Sequence, residues 1–149
     1  MKKTVVALVL ASLAGTVLAQ QLKPEEMIKT RKAGYTFMAW NMGKIKANLD
    51  GTFNKDQVAA SANAVSGIAN SGLGALFGPG TDHEVGGEKT RVKPELFQQP
   101  DKVRELAMNL GKEASELARV AATGDKAAVQ AQFGKTGAAC KACHDDFRK

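Results

Sequence analysis

Cysteine is nearly absent from this chain. Its two copies, Cys140 and Cys143, lie three positions apart near the end of 149 residues. A disulfide between such neighbours would close a tiny loop and restrain little of the unfolded chain, so a disulfide-stapled scaffold is not the reason for the pair. Aromatic residues amount to only 5%, and the basic residues are scattered. A nucleic-acid binder would need a basic stripe and stacking side chains, so that class is set aside. Strand-like alternation is missing, as are internal repeats and low-complexity tracts. Past the N-terminus, no stretch approaches the length of an apolar membrane span.

What is present starts with MKKTVVALVLASLAGTVLA, residues 1–19. Lys2 and Lys3 lead an apolar run from Val5, and Val17-Leu18-Ala19 supplies small residues for cleavage. The pattern predicts a secretory signal peptide, with an apolar run too short for an anchor. The mature chain, residues 20–149, is then expected to be one exported domain in the periplasm, with no membrane attachment after cleavage. The whole chain carries 21 Lys and Arg against 15 Asp and Glu. Removing the two lysines of the signal leaves the mature part at +4. About 130 residues have room for one core.

Four amphipathic patterns follow. Pro24, with Glu25 and Glu26 behind it, reads as a helix start. Ile28, Arg31, Tyr35, Met38, Met42, Ile45 and Leu49 then recur at 3-4 spacing until Asp50-Gly51. Asn54 can cap a second helix with Val58, Ala62, Val65 and Ile68 on one face, fading at Ser71-Gly72. Val103, Leu106, Leu110, Ala114, Leu117 and Ala121 mark a third, closed by Thr123-Gly124. Asp125 can cap a fourth, carrying Val129, Phe133, Thr136, Cys140, Cys143 and Phe147. The expected fold is all-α, an antiparallel up-down-up-down four-helix bundle. The stretch from Gly74 to Pro100 is the exception, a glycine- and charge-rich connection long enough to suggest function or disorder.

The last helix poses the chemical question. CKACH, residues 140–144, puts two thiols on the inward stripe and His144 one turn past Cys140. Three chemistries use this spacing: a redox dithiol, half of a zinc site, and covalent haem attachment. A reactive dithiol favours a helix N-terminus, where the dipole lowers a thiol pKa, and these cysteines lie near a C-terminus. Zinc needs three or four protein ligands, and only His83, in the long connection, remains to add. Haem attachment needs two thiols on one porphyrin edge and an imidazole directly after them. It fits best, with the dithiol and zinc readings as alternatives. Small residues near the seam, among them Gly34, Gly74, Gly137 and Ala138, would leave room for a flat cofactor. No nucleophile, base or paired carboxylates gather nearby, so an enzyme is not expected.

KPEEMIKTRKAGYTFM, FGPGT, KPELF and GAACKACHDDFRK, in that order behind a signal peptide, resemble the cytochromes c′ over the whole mature chain. The resemblance implies one haem c held through Cys140 and Cys143, with His144 as the proximal iron ligand. It places Arg31, with Lys32 beside it, near a propionate, Thr90 at the haem edge, and Arg148 over the proximal histidine. In low-spin relatives, a methionine four residues after the helix-one arginine supplies the sixth ligand. Here that residue is Tyr35, with Phe77 lining the same pocket. The segment before FGPGT lacks the tryptophan common there. A five-coordinate iron with a crowded, apolar distal side suits NO and CO better than O₂. The implied function is NO and CO binding, with NO buffering or electron transfer to an unknown redox partner. The alternative is a low-spin electron carrier, with Met38 as the only methionine near enough in sequence. Phe37, Trp40 and Met27, off the main stripe, suggest an apolar interface, and the resemblance implies an antiparallel homodimer through the first two helices.

Overall fold

The computed structural model describes residues 22–149. The segment read as a signal peptide lies outside them. Four helices run α1 (Pro24–Asp50), α2 (Lys55–Ala69), α3 (Pro100–Ala121) and α4 (Lys126–Phe147), forming an antiparallel four-helix bundle. Among the described residues there is no strand, only two isolated bridges, and no helix is long and apolar enough to cross a membrane.

The helix limits follow local chemistry. Pro24 occupies the first turn of α1, where its missing N–H costs nothing, and Glu26 accepts from the Lys23 N–H at 2.9 Å. The Asn54 side chain accepts from Gln57 N–H at 2.9 Å, and Asp125 from Ala127 and Ala128 N–H at 2.9 and 3.1 Å. Each cap satisfies amides that the helix leaves without a partner.

The core fills one end of the bundle. Ile45, Val58, Ala62, Leu117, Val120, Ala121 and Val129 form its main cluster, with Met38, Val65 and Ala114 next along the axis. Full burial stabilises each large aliphatic side chain there by about 1.5–3 kcal/mol. The buried phase of α1 differs from the expected stripe in two respects: Tyr35 is not inside, and Asn41 and Asn48 are. Their amides donate to the carbonyls of Phe37 and Lys44 at 2.9 Å, and Asn48 also reaches Gln57 and the Asn54 N–H, fastening α1 to the start of α2. Burial is tolerable because the amides are paired.

Packing is unequal around the bundle. The α1–α2, α2–α3 and α3–α4 seams are extensive, whereas α1 and α4 scarcely meet. At the end opposite the core, that leaves a gap between the N-terminal half of α1 and the C-terminal half of α4. Val103, Leu106 and Leu110 of α3 are only half-buried at this end.

Most of the long connection is ordered. A 3-10 turn at Leu73–Leu76 packs against α1, where a Cβ on Gly34 would come within 3.3 Å of Leu73. Gly34 therefore permits a close backbone approach of loop to helix, and makes no room for a cofactor. A second 3-10 turn, Pro94–Gln98, follows a short stretch at 91–93 that pairs with the chain's last residues.

Candidate functional site

Cys140 and Cys143 lie in the last two turns of α4, both free and half-buried. The fully buried line of α4 runs through Gln132, Thr136, Ala139 and Phe147. The thiols are thus at the edge of the core-facing stripe and not at its centre, as the periodicity suggested. Burial raises both thiol pKa values, and Asp146 and the other cysteine add to the rise at Cys143. A redox dithiol needs the opposite shift, so that alternative loses its chemical basis. Zinc fares no better. Among the described residues no group of three His, Cys, Asp or Glu is arranged to hold a metal, and His83 is exposed and occupied with Asp82 at 2.8 Å.

His144 follows on the same helix. Burial, then the charges of Arg148 and Arg91, lower its pKa, with Asp145 opposing. The shift favours the neutral imidazole, the form that ligates metals. Arg148 caps α4 and brings Nη1 to 3.5 Å from His144 Nδ1.

Across the gap stands Tyr35, 37% exposed. The charges of Cys143, Arg31 and Cys140 act on it, so the phenol lies within electrostatic range of the end of α4. Its pKa is pushed up to about 12, chiefly by burial and then by Cys143. The phenol is therefore neutral at physiological pH. Its ring meets Phe77 edge-on, with centroids 6.3 Å apart. Met38 does not compete for this place. It is 4% exposed and packed against Val65 and Ala114.

Arg31 organises the wall beside Tyr35. Its guanidinium is 3% exposed and lies 4.6 Å over the Phe77 ring. Nη1 donates to Leu76 O at 3.0 Å and to Thr81 Oγ1 at 2.7 Å, and Nη2 donates to Thr81 O and, at 2.7 Å, to Thr90 Oγ1. Burial pushes its pKa below the ordinary value, though a guanidinium remains charged. Among the described residues no carboxylate pairs with it. Thr90 thus serves as a partner of Arg31, and Lys32 is engaged with Glu88 at 2.8 Å. Thr81, fully buried and donating on to Gly78 O at 2.8 Å, escaped the sequence reading. Its signal was the tight Gly-Pro-Gly of FGPGT, which turns the chain back onto Arg31.

The arrangement is a slot. It has two protonated thiols and a neutral imidazole on one wall, and a phenol, a phenyl ring and a buried guanidinium on the other. A profile of the cytochrome c′ family matches residues 26–148. The chain belongs to this family of c-type cytochromes, which carry haem c. A cytochrome c′ of Allochromatium vinosum is 55% identical over 145 residues, covering 97% of this chain and 94% of that one. The crystal structure of cytochrome c′ from Thermochromatium tepidum, 62% identical, superposes with a TM-score of 0.84 over 86% of this chain and 98% of its own. A second cytochrome c′ structure, described by its ligand-controlled dimer dissociation, is 59% identical with the same TM-score over 85% of this chain and 97% of its own. Two structures of variant cytochromes c′ from Alcaligenes xylosoxidans, one with CO and one ferrous with NO, are 29% identical with TM-scores of 0.74. They cover 85% of this chain and 97% and 96% of their own. Against the family frame, the slot suits a flat apolar group: one wall offers thiols and a ligand, the other aromatic faces and a cation.

Proposed function

We propose that this cytochrome c′ is a periplasmic protein that binds NO and CO at a five-coordinate haem c and is not an enzyme. Cys140 and Cys143 would hold the group covalently, one per chain, and His144 would ligate its iron. When bound, the haem would supply a redox-active iron able to take a diatomic ligand. The chain's own residues do the rest. Partial burial and the flanking arginines favour the neutral form of His144. Tyr35 and Phe77 keep the distal side crowded and dry. Arg31 offers positive charge toward a propionate through the Nε–H that its four hydrogen bonds leave over. Lys32, paired with Glu88, is a secondary contributor at most.

The observation that carries this reading is that Met38 is committed to the core beside Val65 and Ala114, while the place four residues after Arg31 is held by Tyr35, which cannot supply a thioether. No methionine faces the gap from α1 to serve as a sixth ligand. Ferric and ferrous protein at neutral pH is therefore expected to be high-spin. A low-spin absorption spectrum with a methionine–iron charge-transfer band would overturn it in favour of the simple electron carrier. The CO- and NO-bound relatives support the choice of ligands. Buffering of NO and electron exchange with a redox partner are both compatible with the site.

A homodimer completes the proposal. Phe37 and Trp40 of α1 are 51% and 56% exposed and stack with centroids 5.4 Å apart. Lys44 Nζ lies 4.6 Å over the indole. Met27 is not part of this surface, since it is half-buried with its sulfur under Gly78. Burying two stacked aromatics against a second copy removes apolar area that a lone bundle leaves in water. Trp40→Glu is expected to convert a dimer at micromolar concentration into a monomer, read by light scattering. A wild-type protein that scatters as a monomer at that concentration would remove the dimer from the proposal.

A further inference from the structure

At the slot end of the bundle α1 and α4 scarcely meet, so something else must set the distance between its two walls. Residues 90–93 run from one wall to the other. At the start of this strap, Thr90 Oγ1 accepts from Nη2 of Arg31, which is buried in α1, at 2.7 Å. The same hydroxyl accepts from Val92 N–H at 3.3 Å. Further along, Val92 and Arg148 form an antiparallel bridge, and Lys149 N–H donates to Arg91 O at 2.7 Å. The 3-10 turn Pro94–Gln98 follows at once and packs on α3 and α4.

Lys93 makes the closing contact. An α-helix leaves its final four carbonyls without an intrahelical donor. In α4 these belong to His144, Asp145, Asp146 and Phe147. His144 O takes the Arg148 N–H at 3.1 Å. The other three all go to Lys93. Phe147 O accepts its N–H at 2.9 Å, and the Asp145 and Asp146 carbonyls accept from its ammonium, both at 3.1 Å. A cation here also meets the negative end of the helix dipole. The side chains of the two aspartates are engaged elsewhere, with Lys141 and Lys102. Core packing does little for this turn. The buried line of α4 passes from Ala139 to Phe147 with no buried residue between them, and Cys140, Cys143 and His144 all fall in that interval.

We infer that Lys93 is a positioning residue for His144: by closing the end of α4 it fixes the last turn, and with it the imidazole, against the α1 wall. The inference rests on the haem reading of Cys140, Cys143 and His144, because only a metal ligand makes the pose of this imidazole matter. Lys93 acts through the backbone of the turn and not on the ring itself. Metal-ligating histidines are commonly oriented by hydrogen bonds from groups beyond them. Here the group held in place is the turn that carries the ligand. The strap is anchored on the opposite wall, at Arg31, so the turn is held relative to that wall and not merely to its own helix.

The test compares the haem-loaded wild type with Lys93→Met, Lys93→Arg and Lys102→Met. Lys93→Met keeps the length of the side chain and removes its donors. Both ammonium contacts are exposed, so water can replace them and the variant is expected to fold. Lys102→Met removes the same charge beside the same helix end, but Lys102 acts on the Asp146 carboxylate and the Phe147 ring. Amide hydrogen exchange over residues 144–149 is expected to be roughly three- to tenfold faster in Lys93→Met, with residues 126–136 unchanged. Resonance Raman spectra of the ferrous protein should show the iron–histidine stretching band shifted and broadened in Lys93→Met. The band should be largely restored in Lys93→Arg, whose guanidinium can donate to both carbonyls, and unmoved in Lys102→Met. Exchange and band both unchanged in Lys93→Met would overturn the inference. So would faster exchange with an unmoved band, which leaves Lys93 a helix cap alone. An equal band shift in Lys102→Met would overturn it too, by assigning the effect to charge. Covalent haem, read by mass and visible spectrum on the wild type, tests the site reading separately.

Discussion

Replacing Arg31 by leucine is expected to lower the stability of the protein by about 2–4 kcal/mol. The change takes a donor from four oxygens, the carbonyls of Leu76 and Thr81 and the hydroxyls of Thr81 and Thr90, of which the Thr90 hydroxyl keeps the Val92 N–H at 3.3 Å. A buried acceptor left unpaired costs about 1–3 kcal/mol. Relief of the guanidinium's desolvation and rotation of the two hydroxyls offset part of the sum. The charge of Arg31 also sits over Phe77, and an apolar side chain forfeits that attraction. The effect should be local as well as global. Hydrogen exchange should quicken across residues 76–90, while Val58 and Leu117 in the far core keep their protection. Arg31→Lys should recover less than half of the loss, because an ammonium cannot reproduce the planar fork. Urea unfolding of the three proteins measures this. A midpoint for Arg31→Leu within error of the wild type would mean that the clasp does not form in solution.

The same residue shows where sequence reading stops. Helix limits were legible because their causes are local: Pro24, Asn54 and Asp125 each act within one turn of themselves. The place of Cys140, Cys143 and His144 on the last helix was legible for the same reason. Arg31 could be assigned to the site, but its partners lie 45 to 59 residues away in a loop without periodicity. Nothing in the alternation of polar and apolar residues says which hydroxyl meets a guanidinium. Thr81 was therefore missed and Thr90 was given to the haem edge alone. The burial of Asn41 and Asn48 was illegible too. A stripe drawn by hydropathy passes over amides that satisfy themselves on the carbonyl four residues back. The thiols' position at the edge of the stripe has a related cause. Helix phase gives a direction good to about one residue, and a slot that opens between α1 and α4 lies within that margin.

The unequal seams give these errors a common meaning. Where all four helices pack together, as at the Ile45–Leu117 end, a periodic reading places the apolar residues correctly. Where one seam is open, side chains that would be core in a closed bundle become walls. Tyr35, Phe77, Cys140 and Cys143 are all half-exposed or half-buried for that reason, and in the proposed function the open seam is the haem slot.

Tyr35→Ala is expected to bind CO at least tenfold faster than the wild type. Tyr35 lies within electrostatic range of the two cysteines and rests edge-on against Phe77, itself under the Arg31 guanidinium. Its ring thus has one aromatic neighbour to resist its movement. In the proposed function, a diatomic reaching the iron would have to move it. Removing a displacement cost of about 1.4 kcal/mol corresponds to a factor of ten, and a ring held by one aromatic neighbour costs that order to shift. The opposite role is also chemically open to a tyrosine. The phenol is neutral at physiological pH, so its O–H can donate to a bound ligand, in which case its loss would speed CO release and weaken binding. Tyr35→Phe divides the two, since it keeps the bulk and deletes the donor. If crowding governs, Tyr35→Phe behaves as the wild type and only Tyr35→Ala is fast. If donation governs, both variants release CO faster. Stopped-flow association and dissociation rates on the three ferrous proteins decide between them, and rates unchanged in Tyr35→Ala would show that the ring does not stand over the ligand site at all.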